Sequence, residues 1–264
     1  MSYQPVVART GLVAWRFLQR TYDMQFENFQ QSAQLKRDTD YFLENIGKVK
    51  TAEDLVSDRQ LLSVALGAFG LQDDLDNKYF LKRVLGDGTS DPEALANRLA
   101  DDRYRKLSEA FRLGPGETPT TGDTARMRQI LADSVANKFE VAVGDADNAM
   151  RVALYAQHAL ADLATDGTSD ATLWYRILGS TPLREFFQTA LGLPDGMAQM
   201  DLEKQVEILQ QRTQGLTGAD SVAQFSEPEA LEKLTNLYLV RSQLEAFQQS
   251  NSPQSIALQL LQTG

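Results

Sequence analysis

The chain contains no cysteine and a single histidine, His158. Without cysteine there are no disulfides, no thiolate metal ligands and no cysteine nucleophile. One histidine cannot build a multi-histidine zinc or iron centre, and a di-iron carboxylate bundle needs two Glu-x-x-His helices. Positive charge is the next shortage. Lys and Arg number 26 against 36 Asp and Glu, a net charge of −10 over 264 residues, with a pI near 4.7. Affinity for nucleic acid rests on clustered Lys and Arg, so this balance argues against a nucleic-acid partner and against adhesion to an anionic membrane surface. No apolar run approaches the ~18 residues of a membrane-spanning helix, so no membrane span is expected. Near the N-terminus the apolar run Gly11–Trp15 is short, flanked by Arg9 and Arg16, and followed by no small-residue cleavage site. A cleavable signal peptide is therefore not expected, and an exported form would need an uncleaved N-terminal segment. There is no Gly-x-Ser-x-Gly, Gly-x-x-x-x-Gly-Lys-[Ser/Thr] or Gly-x-Gly-x-x-Gly motif, so no nucleophile elbow or phosphate cradle can be read.

What is present is helical periodicity. Hydrophobic residues make up 42% of the chain, an ordinary share for a folded protein with ample length to bury a core. From Trp15 the apolar positions run Trp15, Leu18, Tyr22, Phe26, Phe29 and Ala33, with Arg20, Asp23, Glu27 and Gln31 on the opposite face. Steps of three and four predict a long amphipathic helix, continuing through Tyr41, Phe42 and Ile46 to a cap at Gly47. Further helices are expected at about 58–69, 75–85, 92–100, 102–113, 123–140, 145–163, 171–178, 182–191, 201–213, 228–247 and 253–262. Thr51 and Ser57 read as N-caps, the latter with Gln60 placed for a capping box. Pro92, Pro182, Pro228 and Pro253 each follow a capping side chain directly or one residue on, where a first turn tolerates proline. Only short stretches such as Val141–Val143 have strand character. The fold class is all-α, multihelical, with two helical subdomains in one compact chain.

The strongest loop signal is the segment 114–122, which holds three glycines and two prolines. It is expected to be an exposed connection between an N-terminal helical subdomain, 1–113, and a C-terminal one, 123–264. A second polar stretch, Gln214–Ser226, sets off the last helices. The string Asp-Gly-Thr-Ser-Asp occurs at 87–91 and again at 166–170, each time ahead of a short helix and then a second one. Those second helices end in comparable phrases, Glu109–Leu113 and Thr189–Leu193. Two copies suggest a duplicated helical hairpin, with coincidence equally open.

Acidic clusters are the next candidates, as metal sites. Asp145-Ala146-Asp147 opens like a calcium loop, but Ala149, Met150 and Ala156 fall where a ligand, the glycine and the closing carboxylate belong. Such acids suit helix N-termini instead. His158 reads as a partly buried mid-helix residue, four after Leu154. Carboxylate pairs such as Glu44/Glu53 and Asp162/Asp166 have no feature that sets them apart as acid–base groups. Hence no catalytic residue, metal ligand or cofactor is expected, and the chain is not expected to be an enzyme.

The N-terminal helix is the candidate for contact with a protein partner. Trp15, Phe17, Tyr22, Phe26 and Phe29 are many aromatics for one amphipathic helix, and Phe17 falls off the main stripe. Either the helix packs on its own domain, or some of the stripe docks into a helical partner as anchor residues do. Glutamine is also abundant, 23 residues against 9 Lys, densest in the C-terminal third. Long uncharged polar side chains suit helices that pack on other helices without charge conflict.

Two long phrases carry a resemblance. One is Tyr41–Val56 followed by Asp58–Leu62. The other is Asp147–Tyr155 followed by Leu178–Glu185 and Gln188–Pro194, and Leu95–Leu99 with Asp102–Tyr104 fits the same pattern. Over roughly residues 12–240 the chain resembles an alphaproteobacterial family of unknown function, number twelve-seventeen among domains of unknown function. The resemblance carries no activity and no catalytic residues; Arg151 and Arg184 match its phrases, with ion-pair or capping roles as apt as a binding one. Genes of that family are often found among flagellar genes, which implies a non-enzymatic, flagellum-associated protein working through helix–helix contacts, as assembly factor or minor structural component. A cytoplasmic export chaperone or regulator is the neighbouring reading, and an unrecognised enzyme or small-molecule binder the competing class. Localisation is expected to be cytoplasmic or flagellum-associated.

Overall fold

The computed structural model describes residues 3–8 and 10–250. Among these residues there are thirteen α-helices, five short 3₁₀ turns and no strand. The chain divides into two units, Met1–Val6 with Thr21–Val143, and Val7–Arg20 with Gly144–Gly264. The segment 114–122, expected to separate residues 1–113 from residues 123–264, thus lies inside the first unit. Its residues are tied down rather than free. Thr121 is buried and its hydroxyl donates to the Val49 carbonyl at 2.7 Å, and Thr120 donates to the carbonyl of Ala110. At the other end, Gly114 passes so close to Gly88 that a Cβ on Gly114 would sit 2.5 Å from the Gly88 Cα.

In the first unit, α1 (Gly11–Gln30) contributes residues from 21 onward, followed by α2 (Ala33–Asn45), α3 (Ala52–Ser57), α4 (Arg59–Ala68) and α5 (Lys78–Gly86). After them come α6 (Leu95–Arg98), α7 (Asp102–Phe111) and α8 (Thr124–Gly144). The single helix expected from Trp15 to Gly47 is broken at Ser32, which is extended at φ −62°, ψ 137°. The reason is register. Ala33 is exposed, and the next core residue after Phe29 is Leu35; six residues on, at 100° each, a continuous helix would have turned Leu35 well off the buried face. The break resets the phase, so that Leu35, Phe42 and Ile46 all enter the core. A 3₁₀ turn then closes the segment at Ile46–Lys48.

Two expected caps resolve differently. Thr51 opens α3 in a full capping box, its side chain accepting from the Asp54 N–H while the Asp54 carboxylate accepts from the Thr51 N–H. Ser57, by contrast, is the last residue of α3, and Asp58 caps α4 by accepting from the N–H groups of Gln60 and Leu61, both at 3.0 Å. Pro92 starts a turn and not a helix. The Asn97 amide donates to the carbonyls of Thr89 and Asp91, which folds the segment back and leaves only Leu95–Arg98 helical. Val141–Val143 belongs to α8.

The second unit holds α9 (Asn148–Thr165), α10 (Asp170–Gly179), α11 (Thr181–Leu191), α12 (Leu202–Thr217) and α13 (Pro228–Ser250). The expected helix at 253–262 lies outside the described residues. Pro182 and Pro228 open α11 and α13 as expected. The core here is aromatic. Phe187 meets Trp174 at 5.5 Å, Phe225 at 5.8 Å and Phe186 at 5.8 Å, edge to face, and Phe186 packs on Tyr238 at 4.9 Å. Trp174 is held from both sides, its Nε1–H donating to the Asp170 carboxylate and the Asp220 carbonyl.

The two Asp-Gly-Thr-Ser-Asp strings occupy like positions. Asp87 ends α5 and Asp166 ends α9, both right-handed, and the glycine after each is left-handed, φ +70° at Gly88 and +77° at Gly167. Two helices later the correspondence recurs. Arg112 after α7 and Gly192 after α11 both cap in the left-handed region, at φ 51° and 62°. A 3₁₀ turn and a longer helix follow in each unit. The echo seen in the sequence is therefore a repeated order of elements, with matching backbone at both ends.

Candidate helix-docking surface

The expected partner-binding aromatics are turned inward. Trp15 is buried and Phe17 half-buried, both on the stretch of α1 that counts with the second unit. Tyr22, Phe26 and Phe29 are half-buried in the first unit, ringed edge-on around the buried Phe139 of α8 at 5.3, 5.4 and 5.5 Å. Such edge-to-face packing is a core arrangement. Burial lifts the Tyr22 hydroxyl to about 12, helped by the nearby charges of Glu140 and Asp23. Of the two readings of this helix, packing on its own domain is the one the contacts support.

His158 is exposed on α9, not partly buried: the buried face centres on Ala153, Ala156 and Leu160, Leu154 stands at its edge, and four residues on the helix has turned a further ~40° outward. Arg151 stacks its side chain on Gly144 and donates to Asn148, and Arg184 reaches the Leu178 carbonyl at 3.4 Å. Both act locally on helix ends.

In the first unit an open groove of about 700 Å³ runs beside α3 and α4, lined by Tyr41, Asn45, Lys48, Asp58, Arg59 and Gln60 among others. Its polar groups are committed to one another. The Tyr41 hydroxyl donates to Asp58 at 2.7 Å, Lys48 donates to Asn45 at 2.7 Å, and Arg59 pairs with Asp76 at 2.6 Å. The hydrogen bond to Asp58 holds the Tyr41 hydroxyl above its ordinary range. These groups pin the α2–α4 corner and do not converge on a common point.

The exposed apolar feature lies on α13. One face of this helix is core: Leu231, Leu234, Thr235, Tyr238 and Leu239 are all buried. At Arg241 the helix is fastened to α11, the guanidinium donating to the Ala190 carbonyl at 2.7 Å. That contact is possible because Gly192 has no side chain; a Cβ there would come within 2.7 Å of Arg241 Nη1. Beyond Arg241 every side chain from Gln243 to Gln248 is exposed. Three of the residues at this end are large and apolar: Val240 is 47% exposed, Leu244 53% and Phe247 66%. With the half-buried Leu237 they fall at steps of three, four and three, the a and d positions of two heptads. A surface helix normally shows one apolar stripe; α13 shows one for its core and a second for something else. The sequence carries this signal in the excess of apolar residues over 231–247, too many for a single face, whereas aromatic density points to α1.

The molecule is thus an all-helical protein of two units whose most evident open feature is an apolar helix face. The chain belongs to the family described as protein of unknown function (DUF1217), whose model matches residues 68–231. It is also similar in fold to a protein of Agrobacterium tumefaciens, solved by X-ray crystallography in a structural genomics consortium. The TM-score is 0.73 at 24% identity, covering 92% of this chain and 97% of that one. No curated protein matches the sequence. Among the described residues no helix is long and apolar enough to cross a membrane.

Proposed function

We propose that the protein is a non-enzymatic assembly factor or minor structural component that acts by helix–helix contact, associated with the bacterial flagellum. The observation that carries the helix–helix reading is the second apolar stripe of α13, with Val240 and Leu244 about half exposed in heptad spacing. Leaving two large aliphatic side chains half in water side by side forgoes roughly 1 kcal/mol of burial for each. A helix laid along the stripe recovers that. The flagellar setting rests on the resemblance to a family whose genes are often found among flagellar genes. Deleting the gene and measuring swimming, with fractionation of cytoplasm, basal bodies and culture medium, tests it. Loss of motility with the protein in the basal-body or medium fraction is expected; normal swimming with normal flagella would overturn the flagellar assignment.

A further inference from the structure

A second groove of the first unit differs from the one beside α3 and α4 in what its polar groups do. It lies between α2 and α8, holds about 250 Å³, and falls wholly within residues 21–143. The helical period builds it. On α2, Leu35 and Thr39 form an inner row, with Lys36 and Asp40 as the outer row beside it. On α8, Leu131 and Val135 are the inner row, with Arg128 and Ala132 outside them. Leu35, Leu131 and Val135 are buried and make an apolar floor, while the two outer rows are exposed and make the rim. Gln30, the last residue of α1, completes the lining. Lys138 of α8 reaches Asp38 of α2 at 3.4 Å, so the two walls are fastened to each other by a contact outside the groove.

Among the described residues, no side chain of Gln30, Lys36, Thr39, Asp40 or Arg128 makes a hydrogen bond or ion pair. Elsewhere in this unit cations are mostly spent on acids: Arg59 on Asp76, Arg83 on Asp87, Arg105 on Asp102 and Glu109. Lys36 and Arg128 against Asp40 give this rim a net positive charge in a chain of −10. The volume limits what can enter. At ~30 Å³ for each water in the liquid, the space equals about eight waters, room for roughly ten non-hydrogen atoms.

We propose that this groove binds a small apolar monocarboxylate, its hydrocarbon body on Leu35, Leu131 and Val135 and its carboxylate at the cationic rim of Arg128 and Lys36. A guanidinium offers a carboxylate two parallel N–H donors, and Thr39 and Gln30 have donors of their own to add. Asp40 opposes the anion and limits its affinity. The site is independent of the α13 stripe.

Titration of the full chain with octanoate, followed by amide chemical shifts and calorimetry, tests this. Binding is expected with a Kd of about 1 mM or tighter, the shifts falling on α2, α8 and the end of α1. Octanol, with the same hydrocarbon chain and no charge, is expected to bind at least about 10-fold more weakly, and added salt to weaken octanoate. Arg128→Gln is expected to cost about 10-fold and Asp40→Asn to gain about 3-fold. Ala132→Phe fills the groove from an exposed position and is expected to abolish binding, with circular dichroism native in all three variants. If Ala132→Phe fails to fold, the opposite signs at Arg128 and Asp40 still decide. The proposal is overturned by no binding at about 10 mM octanoate, by shifts that fall elsewhere, by octanol binding as tightly, or by Asp40→Asn weakening the complex. A groove that ignores octanoate but responds to an acidic amphipathic peptide would have a macromolecular occupant, which overturns it equally.

Discussion

Arg241 occupies the space that a side chain on Gly192 would need. Its Nη1 donates to the Ala190 carbonyl at 2.7 Å, and Gly192 turns the end of α11 through φ +62° beneath it. Gly192→Ala is expected to cost roughly 1–2 kcal/mol from the left-handed backbone alone, with the displacement of Arg241 added. Arg112 holds the matching cap of α7 at φ 51° without being glycine. Arg112→Gly should therefore stabilise, by about 0.5 kcal/mol once the extra freedom of glycine in the unfolded chain is set against the strain relieved. Urea midpoints check both. Equal effects of like sign would show that the two caps are not equivalent.

Phe26 is half-buried, 5.4 Å from the Phe139 ring. Phe26→Asp removes that contact and places a carboxylate against the core, an expected loss of about 2–4 kcal/mol. The variant should melt well below the parent. A native melting curve would mean that this stretch of α1 is not structural and would restore it as a docking face.

Asp58 does two jobs, capping α4 through Gln60 and Leu61 and accepting from Tyr41. Asp58→Ala is expected to cost about 1–2 kcal/mol, whereas Ser57→Ala, one residue earlier, should stay within about 0.5 kcal/mol. The reverse order would put the cap back at Ser57.

Alkaline stability carries a signature of Tyr22. Its hydroxyl is pushed from an ordinary value of 10.0 to about 12, by burial first and then by Glu140 and Asp23. A folded-state pKa above the unfolded one means that the folded form holds the proton more tightly. The resulting stabilisation is complete below about pH 10 and is lost as pH rises through about 12. Melting temperatures taken across that window should fall, and fall less steeply for Tyr22→Phe, which has nothing to ionise. Tyr104 and Tyr238, also raised by burial, keep the slope from vanishing. Identical slopes in the two proteins would place Tyr22 in water.

Much of this is legible from side-chain spacing. The helical class, the cap at Thr51 and the first-turn prolines Pro182 and Pro228 all rest on local rules that need no tertiary contact. The misreadings have a common cause. Ser32 breaks a helix that periodicity alone would continue, because Leu35 must reach a core whose position is set by distant residues. The segment 114–122 looks loose, and Val49 and Gly88, far away in sequence, fasten it. Spacing alone identifies Phe26 and Leu244 equally well as members of apolar stripes. Which of the two is covered depends on Phe139, more than a hundred residues from Phe26, and on the point near Arg241 where α13 passes beyond α11.

Residues 7–20 count with the chain from Gly144 onward, while 21–143 form the other unit between them. No single cut can therefore release two whole halves. On the ribosome the ordering matters as well. Residues 21–143 can assemble while synthesis proceeds, but Ala14, Trp15 and Leu18 are made before them and belong to a core completed only when α13 is made. That stretch, with its three buried apolar side chains, waits through the synthesis of residues 21–143 for its neighbours, which makes the beginning of α1 a point where a chaperone or a wrong partner can take hold.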